Sequence, residues 1–179
     1  MNHEVIIDEK LWVKCRDEIP IFVRNLPDEY RVCFQDYKHI DPEKHYWNQM
    51  KINVYKNDEL FVSIGRNYSS LPRPLYAYQN GKEFLITSGD YMCITIINLT
   101  DKTVESYTDE NRYKIGAAFC PTTFTDWDED TSSLEFEGCV WGGSFEMITF
   151  KNLDLSNPVF DFSKAICVDK DVEEDKDDE

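Results

Sequence analysis

No stretch of this chain approaches the roughly 18 consecutive apolar residues that a membrane-crossing helix needs, so none of it is read as spanning a bilayer. Histidine is scarce. The three stand at positions 3, 39 and 45, which leaves the C-terminal half without an imidazole to act as base or ligand. A cysteine nucleophile there would have to borrow His39 or His45 from across the fold. There is no Cys-x-x-Cys pair of the kind that supplies soft ligands to structural zinc. A Gly-rich phosphate loop, a Gly-x-Ser-x-Gly elbow, a His-Glu-x-x-His helix and a Ser/Lys arrangement are all missing. No cofactor and no metal are expected.

Positive charge is also short, with 19 Lys and Arg against 35 Asp and Glu, for a formal net charge of −16. The last eleven residues, Asp169 to Glu179, hold 8 acids and 2 Lys and so carry −6, leaving −10 on the body. With Val172 as its one apolar side chain, that tail lacks the surface to order itself and is expected to be disordered. An acidic body is a poor ligand for phosphate backbones and for anionic lipid. Direct nucleic-acid binding and membrane adsorption are therefore not expected. The opening Met1-Asn2-His3-Glu4 lacks the basic stretch and apolar core of a secretion signal. The expectation is a cytoplasmic protein, in the host cytoplasm if the source is viral.

The six cysteines, at 15, 33, 93, 120, 139 and 167, are widely and irregularly spaced, and a chain of 179 residues does not need staples. Free thiols buried as small apolar groups are expected.

What the chain does have is aromatic and β-branched residues in short runs: 11 Phe, 10 Tyr and 4 Trp, suited to pleated and half-buried sheets. Strands are expected at Tyr30 to Phe34, Met50 to Tyr55, Leu60 to Gly65, Leu75 to Gln79, Glu83 to Thr87, Tyr91 to Leu99, Thr103 to Tyr107, Ala117 to Asp126, Ser133 to Val140 and Phe145 to Lys151. Turn residues punctuate them: Lys56-Asn57-Asp58-Glu59, Asn80-Gly81, Asp101-Lys102 and Asp128-Glu129-Asp130-Thr131. Ser88-Gly89-Asp90 reads as a bulge or corner. Pro20 fits only a strand start or an edge. Asp41-Pro42-Glu43 is the one helix start, good for a turn or two over about 42–48.

The fold class is thus all-β: antiparallel meander sheets in a partial or open β-propeller-like stack or a sandwich, with at most one or two short helices. Too short for a closed ring, the chain would stack about two to three such sheets, and the N-terminal segment would cover the exposed edges. The expected organisation is an N-terminal β segment over 1–70, a propeller-like region over 71–168, the two forming one compact domain, and the acidic tail over 169–179.

Several elements recur in order: Gly89-Asp90-Tyr91, Ile94 to Leu99, Gly116-Ala117-Ala118-Phe119-Cys120, Gly138-Cys139-Val140-Trp141 with Glu146, and Asp154-Leu155-Ser156-Asn157-Pro158. In these the chain resembles a little-characterised group of bacterial, plant and viral all-β proteins with propeller-like, WD40-like sheets. Gly-Cys-x-Trp is the most specific piece. Pro121 stands where the group usually has Trp, and Gly142-Gly143-Ser144 replaces its Ala-Cys-Pro element. The resemblance covers roughly residues 75–163; it implies architecture and names no activity.

Three functional readings remain. The leading one is a non-enzymatic module that binds another protein, a basic one by charge, through Trp127, Trp141 and Tyr91 as apolar anchors and Asp126, Asp128, Glu129 and Asp130 as an acidic rim. The bland alternative for the tryptophans is that they plug a sheet corner. The second reading is an inhibitor of viral or phage type whose acidic face imitates nucleic acid. The third is a carboxylate-based hydrolase, with Glu135, Glu137 and Glu146 as further acids; alternation with Leu134 and Phe136 places Glu135 and Glu137 on the outer face of one strand. Asp126-x-Asp128-x-Asp130 has the opening spacing of a calcium loop, but Thr131 and Glu137 stand where Gly and the twelfth-position Glu belong.

Overall fold

The structure is a computed structural model that describes residues 7–41, 43, 49–67, 73–88, 93–108, 119–140 and 145–161. These residues form twelve strands in three antiparallel sheets and contain no helix, so none among them is a helix long and apolar enough to cross a membrane.

In the first sheet, β1 (Trp12–Lys14) and β2 (Ile19–Ile21) lie along one edge of β3 (Tyr30–His39), and β4 (Gln49–Lys56) and β5 (Glu59–Asn67) follow on its other side. The second is a meander of β6 (Leu75–Gln79), β7 (Lys82–Ser88), β8 (Cys93–Asn98) and β9 (Thr103–Thr108). The third is a meander of β10 (Phe119–Asp128), β11 (Ser133–Val140) and β12 (Phe145–Phe150). Two-residue turns set the hairpin registers. Asn57 (φ 50°) and Asp58 (φ 64°) close β4–β5, and Asn80 (φ 52°) and Gly81 (φ 77°) close β6–β7. Both pairs adopt left-handed backbone at both central positions, the geometry whose twist matches paired strands.

The second sheet is the middle layer. One face, through Phe84, Ile86, Ile94 and Ile96, packs on Phe124, Leu134, Phe136 and Phe150 of the third sheet. The other, through Leu85 and Ile97, packs on Tyr30, Val32, Ile52, Val54 and Ile64 of the first. Burial on both faces explains why β8, Cys-Ile-Thr-Ile-Ile-Asn, is buried at every position. Its polar members are satisfied within the sheet: the Thr95 and Ser106 hydroxyls hydrogen-bond at 2.9 Å, and Asn98 both accepts from the Asp101 amide and donates to its carboxylate.

The N-terminal segment covers the β3 edge as the sequence suggests, and Pro20 sits in the outermost strand, opposite Cys33. Two expectations are corrected. β3 does not stop at Phe34 but runs to His39, because Gln35 and Asp36, too polar to read as core, are buried beneath that segment and partnered by it. Cys33 and Cys93 are buried as expected, but Cys15, in the bend between β1 and β2, is exposed. The Ser88-Gly89-Asp90 corner, the helix over 42–48 and the acidic tail fall, wholly or in most of their residues, outside the described residues.

Candidate functional site

The β10–β11 hairpin carries six acids, Asp126, Asp128, Glu129, Asp130, Glu135 and Glu137. Leu134 and Phe136 point into the core, so by alternation Ser133, Glu135 and Glu137 face outward. β10 reaches the same face through two register shifts, between Pro121 and Thr123 and between Phe124 and Asp126. The second leaves Thr125 as an extra residue. It sets Asp126 opposite Glu135 and Asp128 opposite Ser133, each acid on the outward side. Like charges directly opposed across a ladder are unfavourable. The Thr125 hydroxyl donates to Glu135 at 3.1 Å. Across the sheet, Thr149 pairs with Glu135 and Met147 with Glu137.

Asp126, Asp128, Thr131, Ser133, Glu135, Thr149 and Lys151 line an open groove of about 360 Å³. Lys151 is the single base among the described residues of that lining. Arg24, from the loop after β2, approaches Asp126 only to 4.0 Å, with both groups largely exposed. The Thr131 hydroxyl and backbone N–H hold Asp128 below the usual carboxylate range, the amide lying 3.1 Å from Oδ1. Among the described residues no three of His, Cys, Asp and Glu are arranged to hold a metal ion.

Trp127 is half-buried between the second and third sheets. It packs against their shared core, and its indole N–H donates to the Tyr78 carbonyl at 3.2 Å. It braces the hairpin that carries the acids. Glu129 and Asp130 are exposed in the β10–β11 turn, next to Asp126 and Asp128. The other two anchors expected from the sequence, Tyr91 and Trp141, lie outside the described residues.

Sequence reasoning did not assemble the groove. Placing Asp126 and Glu135 side by side requires the β-bulge, and Thr149 and Lys151 enter only through the β11–β12 register. A second polar centre was also missed, at the junction of the first and second sheets. There Glu83 accepts hydrogen bonds from Tyr30 at 2.9 Å and Tyr76 at 3.1 Å, and Lys56 donates to Tyr30 at 2.9 Å. Burial, reinforced by the Glu83 charge, pushes the Tyr76 phenol well up.

Compared with known proteins, the chain matches no family model, no curated protein and no solved structure, so the three-sheet architecture and this groove are the ground on which its function is read.

Proposed function

We propose that the protein is a non-enzymatic binding module that receives a basic surface of another protein on the outward face of its third sheet. Asp126, Asp128 and Glu135 line the contact, and Glu129 and Asp130 form the rim. The observation that carries this reading is a pair of acids, Asp126 and Glu135, set opposite each other across one ladder. Three acids elsewhere have a close cation: Asp36 with Arg16 at 2.9 Å, Asp101 with Lys82 at 2.7 Å, and Glu9 with Lys51 at 3.3 Å. On the third sheet an opposed acid pair instead borders a groove with one lysine. A cationic partner relieves that repulsion, which makes the surface selective for positive charge. Trp127 serves as the brace that keeps the hairpin in place.

Exposed acids also stand on the first sheet and its turns, at Asp17, Asp28, Glu29, Asp58 and Glu59, and that spread supports a plain acidic binder over a nucleic-acid mimic, which would gather most of the body's −10 on one face. Asp128 in particular is unsuited to the general-acid role in the hydrolase reading. A general acid needs a carboxyl held protonated near neutrality, and Asp128 is displaced in the opposite direction.

The test is titration of a fluorescent oligolysine peptide into the full chain and into the D126N/D128N/E135Q variant. Both keep the acidic tail, so the difference isolates the groove. About a tenfold loss of affinity in the variant, equivalent to ~1.4 kcal/mol, together with weakening by salt, is expected. Equal affinities for the two chains would refute the placement.

A further inference from the structure

Independently of the partner reading, we propose that Cys120 and Cys139 are a thiol–disulfide site: they join reversibly across the β10–β11 ladder, with a small soluble disulfide such as oxidised glutathione as the oxidant. The backbone register carries this inference. Cys120 and Cys139 are Cα partners, flanked by Phe119 opposite Val140 and by Pro121 opposite Gly138. Directly opposed residues of an antiparallel pair have α-carbons about 4.5 or 5.5 Å apart, according to whether the two exchange backbone hydrogen bonds. A disulfide spans α-carbons about 4.4–6.8 Å apart. Either arrangement lies within its reach, so the bond forms without a shift of either strand. Opposed residues also share a face of the sheet.

The other cysteines in the described ladders are not so placed. Cys33 lies opposite Pro20 on one side and Asn53 on the other, and Cys93 lies opposite Thr108. Cys15 falls in the bend between β1 and β2. Position 139 continues the alternation of Glu135 and Glu137, away from the side on which Leu134 and Phe136 enter the core. That is the side of the ladder from which a soluble disulfide arrives.

The loop closed by this bond holds all six acids of the hairpin, from Asp126 to Glu137. Their repulsion works to part the two arms. The ladder next to Cys120 resists poorly, because Pro121 offers no N–H and the register shifts just after it. A covalent link there holds the arms where hydrogen bonds do least. The exchange balances in atoms and electrons. One cysteine thiolate attacks a sulfur of the glutathione disulfide, whose S–S bond breaks and releases one glutathione. The second thiolate attacks the cysteine sulfur of that mixed disulfide and releases the other glutathione. The two protein thiols give up two electrons and form one S–S bond, and the two departing glutathione thiols carry off both protons. Excess reduced glutathione runs the same steps backward.

The test uses the full chain without substitution. It is equilibrated in glutathione buffers of increasing oxidised fraction, quenched with acid, alkylated and cleaved after Asp and Glu, which cuts between the two positions. Mass spectrometry should find a peptide pair joined through Cys120 and Cys139, growing with the oxidised fraction and lost when reduced glutathione is restored. At equal buffer composition the folded chain should carry a larger joined fraction than the urea-unfolded chain, because the register holds the two cysteines at high effective concentration. Recovery of both cysteines as free thiols or glutathione adducts in the most oxidising buffer overturns the proposal. So does pairing of either one with Cys167 or another cysteine in its place. A joined fraction in urea equal to or above that of the folded chain overturns it too, since the ladder would then contribute nothing.

Discussion

At the scale of single residues, the buried polar side chains join the layers. Gln79, at the end of β6, is 6% exposed. Its amide donates to the Leu153 carbonyl at 2.7 Å and to Ser132 at 3.0 Å, and its oxygen accepts from the Leu155 amide at 2.7 Å. It thereby fastens the segment after β12, whose Leu153 and Leu155 complete the core, to the middle sheet. Gln79→Leu fills the space but orphans a buried N–H and a buried carbonyl, so denaturant unfolding should show a loss of roughly 2–4 kcal/mol. A change below half that would mean these groups find other partners. Tyr55 makes a pH prediction. Burial, with the Glu18 carboxylate accepting its proton, pushes the phenol up to about 12, against about 10 in an unfolded chain. Between those values the folded state holds a proton that the unfolded state has released, so stability is full below about pH 10 and falls toward pH 12. Tyr30, Tyr76 and Tyr107 are raised as well and add to the same slope. Urea melts at stepped pH should show a shallower decline for Tyr55→Phe than for the parent chain; identical slopes would contradict the assignment. None of these roles was legible in the sequence. Gln79, Gln35 and Asp36 read as outward polar positions until the segments that lie over them are placed.

At the scale of elements, legibility followed turn chemistry. Asn80-Gly81 and Asn57-Asp58 marked hairpins because few residues accept left-handed backbone, and that is the conformation observed at all four positions. Gly81→Val meets open space, so its cost is conformational only: about 1–2 kcal/mol for a β-branched residue held at positive φ. Equilibrium unfolding of G81V beside G81N, which tolerates that region, separates strain from any loss of contact. Equal stability of the two would show that the turn had changed type. The strands flanking these turns were read nearly to their ends; β11 matches Ser133 to Val140 at both. β1 and β2 were not, because three-residue strands show no alternation and their pairing comes from the β3 edge. The acidic groove fell on the same side of this divide. Its residues were visible one by one, and the bulge at Thr125 that brings them together was not.

At the scale of the whole molecule, the middle layer decides how the fold holds. Its four strands are local in sequence, with short turns closing β6–β7 and β8–β9, yet both outer sheets depend on it for a buried face. Leu85, fully buried toward the first sheet, and Phe136, fully buried on the third, therefore belong to clusters that share one sheet. Truncating Leu85 to Ala should cost 2–5 kcal/mol, on the order seen for large cavities, and should destabilise all three sheets together. Native-state hydrogen exchange reads the hierarchy directly. Amides of β7 and β8, whose ladders are covered on both faces, should open only with global unfolding. Those of β1 and β2, each held by three ladder pairs at a sheet edge, should exchange through local opening at much lower free energy. In L85A the β7 and β8 amides should fall by the full loss in stability, whereas β1 and β2 stay where they were. If instead the β1 and β2 amides fall in step with the middle sheet, the N-terminal strands unfold only with the core, and the layered order of stability argued from these contacts does not hold.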